Sequence, residues 1–406
     1  MPSPFDDEAL LSLFGSGLFT VHRTWKEKLY PVASRLLKII VENRASTAPN
    51  ASLAFILLPG IVGAHHLHRK TPVVQLLNSF LSNLSTTDDT QFSSLVLDSA
   101  RALAPTLAAK RELGRDRAGI PSHPNATRLR LRIERLRRER RDGPAMQTVE
   151  ELQNLLDQEL LLEVDVEHLP ARYDVATVRS TLTNLCPPAS DADVLSEAQL
   201  LAISQSQPLA LSPGETLRAL EKLPDGAAAG ASGWTFSAMK AIFMHDSANT
   251  EQAGSLLCSF CNLMLSGKLV SRLWLRSRSV LVPKKDNTPR PLGIGDAWYR
   301  LVGRASLTKI GKRVGSALYP HQLGVGIKNG CEIGGRTAQM AFDAGENLAL
   351  LALDNNNAFN TMPRGEIFCT GLVDYAPELL AFFNYAYRDP SPLLFQGEWV
   401  ADMATG

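Results

Sequence analysis

Apolar residues recur at helical spacing through most of the first 110 positions. VASRLLKII (32–40) predicts one helix. Thr71 and Pro72 supply an N-cap and a first-turn proline for VVQLLNSFLSNL, with Val74, Leu77, Phe80, Leu81 and Leu84 on its inner face. The longest apolar run, Ala51 to Ala64, is broken by Pro59 and Gly60 and is too short to cross a bilayer. Between Cys186 and Pro213 the periodicity gives way to Pro, Ser and Gln, which predicts a linker or boundary. Ser212, Pro213 and Glu215 then form an N-cap, a first-turn proline and a capping-box acid, opening a short helix through Leu217 and Leu220. That helix ends at LPDGAAAGASGWT, a turn rich in Gly and Ala that closes on Trp234. Helices carrying Phe243, Leu256, Leu257, Phe260 and Leu263 follow.

The period changes at Ser279–Val282, whose β-branched and apolar residues predict a strand. A turn, DNTP, separates it from a second extended segment beginning at Arg290 and Pro291. Asp296 caps a helix through Trp298, Leu301, Val302 and Ala305. After Pro320 come QLGVGIKNGCEIGG, a helix through Thr337 and Met340, and LALLALDNNNAFNTMP (348–363). The last of these reads as a buried apolar strand that delivers Asp354 to its end, then a polar turn, then Ala358 and Phe359. EWVADMATG reads as the returning strand of a hairpin after LLFQG.

Composition adds little until charge is divided along the chain. With 406 residues, 45% of them hydrophobic and 20% charged, there is room for two or three domains with real cores. The formal charge of +1 conceals segregation. Residues 101–141 carry thirteen Lys or Arg against four acids, residues 142–225 four against fifteen, and residues 240–340 fifteen against five. Two basic regions flanking an acidic one suit a polyanionic partner. Five unevenly spaced cysteines give no disulfide framework and indicate a reducing compartment. The acidic start MPSPFDDEAL is not a signal peptide, so the expectation is an intracellular protein with no membrane contact, the nucleus being one candidate compartment.

TRLRLRIERLRRERR (127–141) holds Arg128, Arg130, Arg132, Arg135, Arg137 and Arg138, whose forked guanidinium groups match phosphate oxygens. The same residues also suit a solvated helix face paired with the acidic VEELQNLLDQELLLEVDVEHL, which Thr148 and Glu151 open as a capping box. His65, His66 and His68 lack a Cys or carboxylate at ligand spacing and read as a loop after Gly63. Cys258 and Cys261 form a CxxC with no second pair to complete a zinc site. GAAAGASG lacks the Gly-Lys-Ser/Thr ending of a phosphate loop. Lys284, Lys285 and Arg290, presented from two sides of a hairpin, can grip a triphosphate or simply be surface charges.

Read together, GAAAGASGWT, VPKK…RPLGIGDAWYRLVGR, QLGVGIKNGCE and LALDNNNAFNTM resemble, in order and spacing over residues 212–406, the reverse transcriptases of non-LTR (LINE-type) retrotransposons. The blocks correspond to a segment ahead of the fingers, two fingers motifs, the lead into the palm, and motif A. The resemblance implies a role for Asp354 as catalytic metal ligand and for Asn355 as at most a backbone carbonyl. It implies triphosphate contacts at Lys284 or Lys285 and Arg290, a sugar gate at Phe359, and template contacts at Gln322 and Gly324. An aromatic ring under the sugar clashes with a ribose 2′-hydroxyl, so the implied product is DNA. Mg2+, an RNA template, a DNA primer and dNTP are the implied cofactor and partners.

Two departures stand out. Asn356 occupies the position where the family's motif A carries lysine. The Gln-Gly block and the Tyr/Phe-x-Asp-Asp motif, which supplies further metal ligands, are expected after Gly406, and Asp402 is no substitute for them. The expectation is thus an α+β chain with a mostly helical N-terminal region followed by right-hand polymerase fingers and a partial palm. Its parts are residues 1–141 with the Arg-rich helix, 142–211 acidic helix and linker, 212–347 fingers and 348–406 partial palm. The expected function is RNA-directed DNA polymerase, present as an N-terminal fragment inactive alone. The alternative is a non-catalytic nucleic-acid-binding remnant of a decayed element.

Overall fold

The computed structural model describes residues 25–68, 73–116, 175–185, 193–244, 247–283, 289–324, 327–345, 358–368, 370–395 and 398–403, with residues 7, 10, 11 and 349. These are α+β, mostly helical, with one four-stranded mixed sheet. Four helices lead: α1 (Lys26–Glu42), α2 (Ala48–His68), α3 (Val73–Ser82) and α4 (Asp89–Asp116). α1 packs on α2 and α3, and α2 on α4. Arg35 on α1 ties the turn after α3 in place, donating to the carbonyls of Leu84 (2.5 Å) and Thr87 (2.6 Å) with its guanidinium over the Phe92 ring.

The sequence pattern misplaces three features of this region, the first being His65, His66 and His68, expected in a loop after Gly63 and found in the backbone of helix α2. Pro59 and Gly60 do not break the apolar run, because α2 continues through Pro59. A helix-interior proline lacks the N–H that would bond the carbonyl four residues back, here that of Phe55. Trp234 Nε1 donates to that carbonyl instead, at 3.0 Å. With its acceptor satisfied and Ala51 to Leu58, Ile61 and Val62 buried, α2 is apolar all round and lies in the core. No helix among the described residues is long and apolar enough to cross a membrane. In α3 the buried face is Val73, Leu76, Leu77 and Phe80, with Leu81 and Leu84 at its edge. Val74, a hundred degrees around the helix from Val73, is exposed.

After α5 (Val175–Leu185), part of the expected linker is a helix, α6 (Glu197–Gln205). It buries no residue and stands on a capping box, in which Ser196 and Gln199 satisfy each other's backbone N–H groups. Leu209 and Leu211 then enter the core, Leu211 N–H donating to Asn262 at 2.8 Å. α7 (Pro213–Glu221) opens on the expected capping box of Ser212 and Glu215. α8 (Phe236–Phe243) and α9 (Ser247–Leu265) follow. One apolar cluster includes Leu29 and Phe55 of the leading helices, Trp234, Phe260, Trp274 and Trp298. Asn43, the left-handed cap of α1, donates to the Lys268 carbonyl (2.7 Å) and accepts the Val270 N–H (3.0 Å). Leading helices and later segments thus share one core.

The sheet is formed by two hairpins. β1 (Ser277–Pro283) pairs antiparallel with β2 (Pro289–Gly295), and β3 (Ser391–Phe395) with β4 (Glu398–Met403). The order is β2-β1-β3-β4, joined by parallel pairing of Ser277 with Leu393 and Arg278 with Leu394. The C-terminal strands form the expected hairpin, and α5 covers it through Val178 and Leu182 against Leu393, Val400 and Ala401. Between the hairpins run α10 (Ala297–Leu318), α11 (Gly330–Ala344), three short helices, α12 (Ala358–Thr361), α13 (Arg364–Ile367) and α14 (Thr370–Tyr375), and α15 (Leu380–Tyr387). α11 begins inside the GCEIGG sequence, and its Met340 is 71% exposed.

Candidate nucleotide and nucleic-acid site

Of the residues expected to grip a triphosphate, the β1–β2 hairpin contains the backbone of Arg290. Its last described pairs are Val282 with Arg290 and Pro283 with Pro289, so the backbone of Arg290 sits one register position from the tip. Lys284 and Lys285, which follow Pro283 in the chain, lie outside the described residues, as does the side chain of Arg290. Asp354 and Asn355 also lie outside them. Ala349, within the apolar stretch expected as the motif A strand, is exposed and in no strand. Phe359 falls in the backbone of α12, its side chain outside the described residues. The expected nucleic-acid contacts Arg128, Arg130, Arg132, Arg135, Arg137 and Arg138 lie outside as well, as do the side chains of His65, His66 and His68.

Gln322 and Gly324 are described. They lie exposed in the turn after α10, with Gln322 Oε1 accepting the Gly324 N–H at 2.7 Å. The turn folds back closely on α11: a Cβ on Gly330 would lie 1.6 Å from the Leu323 carbonyl oxygen, so only glycine fits. Asp402 is exposed and accepts the Trp399 Nε1–H at 3.0 Å. Cys258 and Cys261 are buried in α9 as free thiols, and burial pushes both thiols up from their ordinary range, away from the thiolate a metal or redox site needs. Among the described residues no three His, Cys, Asp or Glu side chains gather as a metal site.

The root of the hairpin holds a buried hydrogen-bond network whose residues are only partly signalled by the sequence. Asp296, 1% exposed, caps α10 through the Trp298 N–H (3.1 Å) and accepts the Ser232 N–H (3.2 Å) from the Gly- and Ala-rich block. Burial pushes its carboxyl pKa up, against the hydrogen bonds and the nearby Arg300, which pull it down. Arg278 of β1 donates from Nε (3.1 Å) and Nη2 (2.7 Å) to the Ala229 carbonyl. Arg300 donates to the Ala228 carbonyl at 2.5 Å and stacks over Phe236. Gly230 touches the hairpin's end so closely that a Cβ would meet Asp296 Cα at 2.5 Å and the Gly295 oxygen at 2.7 Å. In this setting the block is a structural saddle: Arg278 and Arg300 cover two of its carbonyls, and a carboxylate faces the Ser232 N–H where a phosphate loop would present it to an anion.

A second anchor lies downstream of the motif A stretch. Arg364, 3% exposed, donates to the carbonyls of Tyr387 (3.0 Å) and Asp389 (2.8 Å) and lies over the Tyr387 ring. Its own N–H donates to Asp193 at 2.6 Å, and Gln199 of α6 donates to the Gly365 carbonyl at 3.0 Å. No local pattern marked Arg364, because its partners are 23 to 171 residues away. Neither the scan against protein-family models nor the search of curated proteins returns a match for the chain.

Proposed function

We propose that this chain carries the fingers and motif A of a LINE-type reverse transcriptase, an RNA-directed DNA polymerase, behind a helical region. The observation that supports the reading most is the hairpin. The backbone of Arg290 lies one register position from the last described pair of the hairpin, Lys284 and Lys285 follow Pro283 in the sequence, and Asp296, next in order, caps the following helix. Lys and Arg on the two arms of one hairpin hold a triphosphate from two sides, the arginine bidentately. Phe359 under the sugar excludes a 2′-hydroxyl, and Gln322 and Gly324 meet the template.

Two-ion phosphoryl transfer needs several hard oxygen ligands for Mg2+. Asp354 would be one of them, but the 406 residues contain no Tyr/Phe-x-Asp-Asp. The donor set does not fit a two-ion centre, and primer extension by these residues alone should yield no product. The binding half is tested by titrating labelled dNTP into the chain with an RNA template, a DNA primer and Mg2+. Saturable binding is expected. It should weaken about tenfold in Arg290→Ala and in the Lys284→Ala, Lys285→Ala double variant, as for a lost charge-assisted bond. Phe359→Val should lose the preference for deoxyribonucleotides. Absence of binding, or binding indifferent to all three variants, overturns the reading. The charge segregation favours the alternative of non-catalytic binding by the Arg-rich segment, which predicts RNA affinity that falls steeply with salt and no dNTP site.

A further inference from the structure

We infer that residues 226–234 couple the leading helices to the β1–β2 hairpin, with Trp234 and Arg278 as the positioning residues at the two ends of the coupling. At the hairpin end, Arg278 sits where β1 is paired on both sides, with Ile294 antiparallel and Leu394 parallel, so a pull on it moves three strands. Its guanidinium holds Ala229, Arg300 holds Ala228, Asp296 holds Ser232, and Gly230 is pressed onto Gly295 and Asp296. Four links within five residues leave the block little freedom relative to the hairpin root.

At the helical end, Trp234 is fully buried, stacks on Phe55 with centroids 4.9 Å apart, and donates to the Phe55 carbonyl. Pro59 leaves that carbonyl without its usual helical donor, and Trp234 supplies the replacement. The proline and the tryptophan are thus complementary halves of one joint, and the leading helices gain a role: they fix the seat of the hairpin. The coupling stands on this geometry, while its service to nucleotide binding rests on the function proposed above.

Hydrogen exchange on the whole chain tests it, with α1 and α9 as internal references. Trp234→Phe keeps a ring in place but removes the donor. It should raise exchange about five- to tenfold in residues 228–233 and in β1 and β2, the size expected for one hydrogen bond, with α1 and α9 unchanged. Arg278→Lys, which cannot span the Ala229 carbonyl with two nitrogens, should do the same in β1 and β2. Should Trp234→Phe fail to fold, Pro59→Ala provides the independent arm, because the restored N–H competes with Trp234 for the Phe55 carbonyl and should loosen the same segments. Uniform loosening across α1, α9 and the hairpin, or no change in the hairpin in folded variants, overturns the coupling. Binding of dNTP read on the same variants separates the two claims. A loosened hairpin in a chain that binds no dNTP at all leaves the coupling standing and removes the proposed function.

Discussion

Asp296 carries opposing demands on one side chain. It caps a helix and accepts a loop N–H, yet burial disfavours its charge. Asp296→Ala should cost about 2–3 kcal/mol in urea unfolding, a lost cap plus an orphaned Ser232 N–H. Because its folded pKa is raised, the group's contribution to stability is complete below the unfolded value and declines as pH rises through the folded one. The stability difference between wild type and Asp296→Asn should therefore shrink as pH rises above the ordinary aspartate range. A difference that grows as pH rises would contradict the buried environment. Glu215 behaves oppositely. The Ser212 N–H and Lys309 hold its carboxyl down at about 2. Glu215→Ala should cost about 1 kcal/mol at pH 7, and the loss should fade as pH drops from about 4.5 towards 2. Unfolding curves across that window read the effect directly.

Among the elements, the Gly- and Ala-rich block is where composition and geometry are most tightly matched. Gly230→Ala would drive a methyl into the backbone of Gly295 and Asp296, which cannot rotate aside as a side chain could. It should destabilise the chain by about 1–3 kcal/mol or more, whereas the same change at Gly214, with open space around it, should be mild. Thermal unfolding of the pair distinguishes close packing from a general glycine effect. What the sequence pattern discloses here follows range. Ser212 with Glu215 and Asp296 with Trp298 are local, and both caps are legible from spacing alone. The clasp of Ala228 and Ala229 by Arg300 and Arg278 spans 72 and 49 residues, and nothing in the local pattern points to it. Pro59 misleads for the same reason, since the donor that makes it tolerable lies 179 residues away.

For the whole molecule, α+β architecture with a helical lead is legible from periodicity, and the two hairpins are legible from the change of period. Their union into one sheet is not, because the β1–β3 pairing rests on two residue pairs brought together across more than a hundred positions. The candidate site divides likewise. The hairpin that carries Arg290 is legible as a change of period, while the anchors Arg278, Arg300 and Arg364 emerge only from the fold.

The burial of α2 also has a consequence in time. Its apolar residues are made before Trp234 and the α9 side chains of the same core, by roughly 200 residues. At roughly 5–20 residues per second, a growing chain would carry the face of α2 that Trp234 covers for roughly 10–40 s with only the neighbouring leading helices against the rest of it.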